Sequence, residues 1–197
     1  LLIRDGMVVA SGRSVTIPPN AVIIDLQGKH VYPSFIDPYT GFGVEKPKRV
    51  EGQGRSPQYE ATREGFYWND HIMPENNAIT KFEYDKKKAE EFRKAGFGVV
   101  NTHIMDGIAR GTGVLVALND MSDAAVRVLN DASGQYFSFT KSVTSRQSYP
   151  GSLMGSMALL RQLHWDADWY AKGNVTTKDR SLEALIASKG MPSFFEA

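Results

Sequence analysis

The sequence predicts an α/β chain in which a small β unit hands over to a larger α/β unit. Three observations carry that expectation. Residues 1–32 are short apolar runs broken by tight-turn residues. Beyond residue 84, amphipathic helix patterns alternate with short apolar strand patterns, the mark of helices packed on a sheet. Between them, Val31 to Gly43 starts as an apolar run, Val31 to Ile36, and ends in a loop rich in Gly and Pro. The predicted organisation is a β portion over 1–32 and an α/β portion over 33–197, with a long loop at 44–84.

Composition narrows the function classes. The chain has 197 residues, 42% apolar and 23% charged, with a net charge of +1. Such a balance gives no electrostatic case for nucleic acid or an acidic membrane surface. No apolar run is long enough to span a membrane. There are no cysteines, which excludes disulfides, thiolate nucleophiles and cysteine-ligated metals. No internal repeat or low-complexity segment is evident. The chain begins and ends inside strand-like runs, Leu1 to Ile3 and Phe194 to Ala197, so a piece of a longer protein is expected.

Taken in order, Leu1–Ile3, Met7–Ala10, Val15–Ile17, Val22–Leu26 and His30–Tyr32 read as strands. Asp5-Gly6 between the first two is a hairpin signal, because both turn residues tolerate positive φ. The 44–84 segment is polar and has little periodicity, as functional loops do. Its aromatic-rich part, Phe66 to Asn76, contains Trp68 and Ile72, which can pin it to a core, and His71. Asp85 to Ala95 reads as a helix, capped by Asp85, with Ala89, Phe92 and Ala95 on one face and Gly96 at its end. Phe97 to Met105 follows as a strand, so helix and strand together make one βαβ step.

Arg110-Gly111-Thr112-Gly113 reads as a glycine-rich turn before a strand at Val114–Leu118. It lacks the Lys-Ser/Thr of a phosphate-binding loop, and a strand follows it, so phosphate binding is a poor reading. Tyr136–Phe139 reads as a further strand. Ser152 to Tyr170 reads as a long helix with Leu153, Met157, Leu160, Leu163 and Ala167 on its apolar face. Ser181–Ser188 reads as a short helix with Leu182, Leu185 and Ile186 inward, and Met191–Ala197 as a last strand.

Gly28-Lys-His-Val-Tyr-Pro-Ser-Phe-Ile-Asp37 resembles the entry to the first barrel strand of the metal-dependent amidohydrolase superfamily, in its imidazolonepropionase-like branch. There the motif runs Gly-Lys-x-Val-x-Pro-Gly-Phe-Ile-Asp-x-His-x-His, and both histidines ligate a catalytic metal. Lys94 to Leu118 is similar to a second segment of that branch, Tyr149 to Arg161 to a third, and Met191 to Ala197 to its Leu-Pro-x-x-Ile-His-Ala strand. The Trp68-Asn69…Pro74-Glu75 pattern is similar to a segment near the barrel mouth.

The resemblance implies a partial β-sandwich followed by the first part of a TIM-type (β/α) barrel. It implies a divalent metal such as zinc, which lowers the pKa of a bound water and polarises an amide or cyclic amide. Here the matching ligand positions hold Tyr39, Gly41 and Glu196. His30, His71, His103 and His164 form no His-x-His or His-x-x-x-His pair. Glu196, a carboxylate at a strand end, is the catalytic candidate. Asp37, Tyr39, His71 and His103 are candidate pocket residues, with Asp37 positioning the first-strand loop by resemblance. Arg110, Arg146 and Arg161 could bind an anion, but isolated arginines are mostly surface residues.

Two functions stay open. One is the N-terminal fragment of an amidohydrolase-like protein, hydrolytic if the parent is active and otherwise a degenerate, non-catalytic member. A barrel of this type needs about 250 residues, so closure then requires the rest of the parent or a homo-oligomer partner. A small molecule is the expected substrate or ligand. The resemblance points to the periplasm, and the cytoplasm stays open. The alternative is a self-contained α+β ligand-binding or interaction module without catalysis.

Overall fold

The computed structural model describes residues 1–52, 62–120, 127–173 and 177–196. The expected loop 44–84 and the last predicted strand each have a part outside these residues. The chain divides into two compact units, Leu1–Pro33 and Ser34–Ala197.

The first unit contains one antiparallel hairpin, β1 (Leu2–Arg4) and β2 (Met7–Ala10), with Ile3 opposite Val8. Asp5 and Gly6 turn it with positive φ, 51° and 74°, as the Asp-Gly signal requires. The strands expected at Val15–Ile17, Val22–Leu26 and His30–Tyr32 do not form. An extended run becomes a strand only where a neighbour takes its N–H and C=O groups. Among the described residues these runs have no such neighbour, and Val22, Ile23 and Ile24 are exposed.

In the second unit the strand expected at Val31–Ile36 lies further on, as β3 (Phe35–Thr40). It runs parallel to β4 (Phe97–Thr102), with Phe35 opposite Phe97 and Thr40 opposite Thr102. The partner starts at Phe97, so the ladder cannot start earlier. Pro38, without an N–H, falls where the register shifts, on an edge strand, where sheets tolerate proline. The helix α1 (Lys86–Lys94) connects β3 to β4, the expected βαβ step. Asp85 caps it, its carboxylate accepting from the Lys87 and Lys88 N–H groups. Ala89 is buried, whereas Ala95 is exposed at the C-terminal cap.

The sequence pattern missed β5 (Ala109–Thr112) and β7 (Val128–Asn130). With β6 (Val114–Ala117) the first sheet has the order β3-β4-β6-β7, and β6 is antiparallel to both neighbours. The second sheet has the order β5-β8-β9, from β8 (Gln135–Ser138) and β9 (Ser193–Glu196). β8 and β9 are parallel, connected through α2 (Leu153–Tyr170) and α3 (Arg180–Ala187).

Arg110-Gly111-Thr112 is therefore strand rather than turn, and Gly113 alone separates β5 from β6. Gly111 sits in β5 at a register shift with φ 87°, and a Cβ there would lie 2.0 Å from the Asn76 carbonyl oxygen. That carbonyl accepts the Thr112 N–H at 2.9 Å. Glycine lets the preceding segment approach β5 closely.

Each sheet has its own core. Val100, Val114, Val116 and Leu118 meet Ala89 of α1 with Phe42, Ala78 and Ile104. Ile108, Ala109 and Phe137 meet Leu159, Leu160 and Leu163 of α2 and Leu182 and Leu185 of α3. Ile186 is partly buried against the same cluster. The inward face of α2 is turned from the expected one: Ser156, Leu159, Leu160, Leu163 and Ala167 are buried, while Leu153 and Met157 are exposed. Both candidate faces of this helix carry apolar residues, so periodicity alone could not choose between them. In the 62–84 segment, Tyr67, Ile72 and Ala78 are core residues, and Trp68 packs against the core of Tyr67 and Ile72. A 3-10 turn covers Ala78–Lys81.

Candidate functional site

Five elements bring side chains to one place. Tyr39 comes from the end of β3, His103 from just after β4, Arg110 from β5, Tyr136 from β8 and Glu196 from the end of β9. Arg110 is at the centre and is only 4% exposed, unlike the surface arginine its isolation suggested. Its Nε donates to the Gly107 carbonyl at 3.0 Å. Nη1 donates to the Tyr39 hydroxyl at 2.5 Å and lies 3.4 Å from His103 Nε2. Nη2 pairs with Glu196 Oε2 at 2.7 Å. A buried guanidinium needs this degree of satisfaction.

The rings form a stack behind this charge pair. His103 lies over Tyr136, centroids 3.8 Å apart and 9° from parallel. Tyr136 lies over Phe194 at 4.7 Å, and Tyr39 tilts against His103 at 4.6 Å. The Tyr136 hydroxyl donates to the Pro38 carbonyl at 2.8 Å. Asp37 accepts the Tyr39 N–H at 3.0 Å, fixing the backbone that carries Tyr39.

The electrostatics follow from burial and from Arg110. Burial, then the positive charge of Arg110, pushes the His103 pKa down to about 3, so the ring is neutral. Its Nε2 faces the guanidinium as an acceptor, and Nδ1 is buried without a hydrogen-bond partner among the described residues. Partial burial pushes the Glu196 carboxyl up, but the Tyr39 hydroxyl and Arg110 outweigh it and leave its pKa lowered. Burial, then the bond to Glu196, raises Tyr39.

Gly41 follows β3, two residues after Tyr39. A Cβ added there would stand 3.0 Å from Met105 Sδ, so Met105 fills the space a side chain would use. Tyr39, Gly41 and Glu196 do not fit a divalent metal. One has no side chain, and the other two already share a fixed cation. Among the described residues no group of three or more His, Asp or Glu side chains is placed to hold a metal ion.

His71 belongs to a different network. It is fully buried; Nδ1 accepts the Ser142 N–H at 3.1 Å, so the ring proton sits on Nε2, 3.3 Å from the Gln147 carbonyl. Burial lowers its pKa. Ser142 Oγ donates to Asp106 at 2.5 Å, and the same carboxylate accepts the Val143 N–H at 2.8 Å. The three residue types suggest a nucleophilic triad, but the wiring excludes it: the hydroxyl meets the carboxylate and not the imidazole. This network holds the 142–147 loop. Sequence reasoning had no local signal for Asp106, Ser142 or Tyr136, whose partners lie 36 to 98 residues away.

No protein-family model matches the sequence, and no curated protein matches it. Among solved structures, the chain is similar to an amidohydrolase from Thermotoga maritima MSB8, with a TM-score of 0.69 and 22% identity. The match covers 100% of this chain and 52% of that one, so the chain spans about half the length of its structural neighbour. The fold is amidohydrolase-like. No described helix is long and apolar enough to cross a membrane.

Proposed function

We propose that this chain is the N-terminal portion of an amidohydrolase-like protein of the imidazolonepropionase-like branch, in which a guanidinium has replaced the metal. Arg110 carries the reading. It donates to Tyr39 and Glu196, two of the positions that hold metal ligands in the proteins the sequence resembles. A fixed positive charge there neutralises Glu196 and repels a divalent cation. The role that follows is non-catalytic: binding a small ligand at the strand ends, or pairing with an active relative.

The (β/α) barrel belongs to this proposal. β3-α1-β4 and β8-α2-α3-β9 are two parallel crossovers, the repeating unit of such a barrel. β3 and β9 are edge strands that leave Phe35, Ile36 and Phe195 exposed. Further strands, from the rest of a parent chain or from a second chain, would cover those edges. Hydrolysis by such a protein would need metal ligands from outside this chain.

The deciding experiment is metal analysis of the protein expressed from its natural gene, with an assay on amide and cyclic-amide substrates. The expected result is metal well below one equivalent and no turnover. One equivalent of zinc that is lost with Glu196→Ala, together with hydrolysis, overturns the proposal.

A further inference from the structure

The outer face of α2 carries a run of large apolar side chains although nothing among the described residues packs on it. Met154 is 78% exposed, Trp165 60% and Trp169 54%, and Met157 is also exposed. At about 100° per residue these side chains, with Ala158, Arg161 and Asp168, whose carboxylate pairs with Lys189 at 3.4 Å, form one stripe opposite the buried face of Ser156, Leu159, Leu163 and Ala167. Isolated exposed apolar residues are ordinary, but a stripe the length of a helix is not. Met, Trp and Arg are the residue types enriched at interface centres. The Arg161 guanidinium lies over the Trp165 ring at 5.4 Å, so its charge is folded onto the stripe.

We propose that this stripe pairs with the same stripe of a second copy, the two α2 helices crossing antiparallel about a two-fold axis between Arg161 and Gln162. The order of residues argues for this occupant. That axis passes through the midpoint of Leu153–Tyr170. It sets Met154 against Trp169 of the partner subunit, Ala158 against Trp165 of the partner subunit, and Arg161 against Gln162 of the partner subunit. Each large ring then meets a thin or small side chain, and sulfur meets an indole. A parallel arrangement would stack each Trp on its own copy and leave Met154 against Met154. Area agrees: two half-exposed indoles and two methionines offer on the order of 500 Å² per copy. Twice that is about the 1,000 Å² at which a specific interface begins. The helix lies on the side of the β5-β8-β9 sheet that carries Phe137, so the pairing does not use the edges of β3 or β9 and is independent of the proposal above.

The test is sedimentation of the natural full-length protein across about 1–100 μM, the range that resolves a micromolar dissociation constant, with Trp165→Glu and Met154→Glu as variants. Both positions are exposed, so the monomer fold persists. The expected result is a monomer–dimer equilibrium that each variant weakens at least about thirty-fold, the effect of losing an interface hot spot. The chain has no cysteine, so single substitutions report geometry. Arg161→Cys near the axis should cross-link on oxidation. Met154→Cys should not, because its two copies lie about 22 Å apart along the helices. A monomer throughout, a dimer indifferent to both Glu variants, or a Met154→Cys cross-link overturns the proposal. Binding of the wild-type monomer, but not of Trp165→Glu, to lipid vesicles would assign the stripe to a membrane surface instead.

Discussion

Arg110 and Glu196 are 86 residues apart in sequence and 2.7 Å apart in space. The pair joins β5 to the far edge of its sheet, and Tyr39 ties the same guanidinium to the first sheet. One side chain thus couples three strands. Its Arg partner is buried and its Glu partner is 41% exposed at the side chain, so the pair is worth less than a fully buried one.

Arg110→Ala leaves a partly buried carboxylate without its cation, with only the Tyr39 hydroxyl still bonded to it. A cost of about 1–3 kcal/mol is expected, discounted for the exposure of Glu196. Urea unfolding at neutral pH measures it. The variant also changes the acid limb. Because the folded pKa of Glu196 lies below its ordinary value, its stabilisation is present above the ordinary carboxylate range and is lost as pH falls through the folded value. That contribution should be reduced in Arg110→Ala, where only the Tyr39 hydroxyl still favours the carboxylate.

His103 gives a second pH signature. Its folded pKa is about 3 against about 6.5 unfolded. Between these values only the unfolded state takes up the proton, so stability falls on acidification from about pH 6.5 towards 3, by up to about 1.4 kcal/mol per pH unit. Unfolding curves of His103→Gln should be flatter across this window. The His103 ring resonances should stay in the neutral form down to about pH 4; a midpoint near 6.5 contradicts the burial described here.

Asp106 holds the 142–147 loop through Ser142 and Val143. Asp106→Ala leaves the Val143 N–H and the Ser142 hydroxyl without that acceptor. A loss of about 2–3 kcal/mol is expected. Faster hydrogen exchange at Val143, with exchange in α1 unchanged, would place the effect in the loop.

Gly111→Ala tests the close approach of the Asn76 backbone to β5. The added Cβ meets a carbonyl at 2.0 Å in a left-handed conformation. Destabilisation of about 2–4 kcal/mol is expected from overlap and strain together. Gly151→Ala, where a Cβ meets nothing within 4 Å, is the control and should stay within about 0.5 kcal/mol.

The two faces of α2 make a paired prediction. Leu163→Ala empties a fully buried position and should cost about 2–5 kcal/mol. Leu153→Ala, on the face first expected to be inward, should stay within about 0.5 kcal/mol. Thermal or urea midpoints of the two variants settle the orientation of the helix.

By itself the sequence determined what short-range chemistry controls. Asp85 and Ser152 cap helices where their carboxylate and hydroxyl reach the first free N–H groups. Asp5-Gly6 turned a hairpin, and the β3-α1-β4 step followed from one helix pattern and one strand pattern. The caps and the turn are contacts within a few residues, written in adjacent positions, and the helix and strand of that step show as local periodicity. The tertiary structure decided the rest. It chose which apolar face of α2 turns inward, because only the facing sheet distinguishes Leu159 from Met157. It left Val22–Leu26 unpaired, because a strand needs a neighbour and not only a propensity. It also assembled the candidate site, for Arg110 looked like any surface arginine until burial on β5 brought Tyr39, His103 and Glu196 around its charge. Burial and long-range pairing are properties of the folded chain, and no local pattern encodes them.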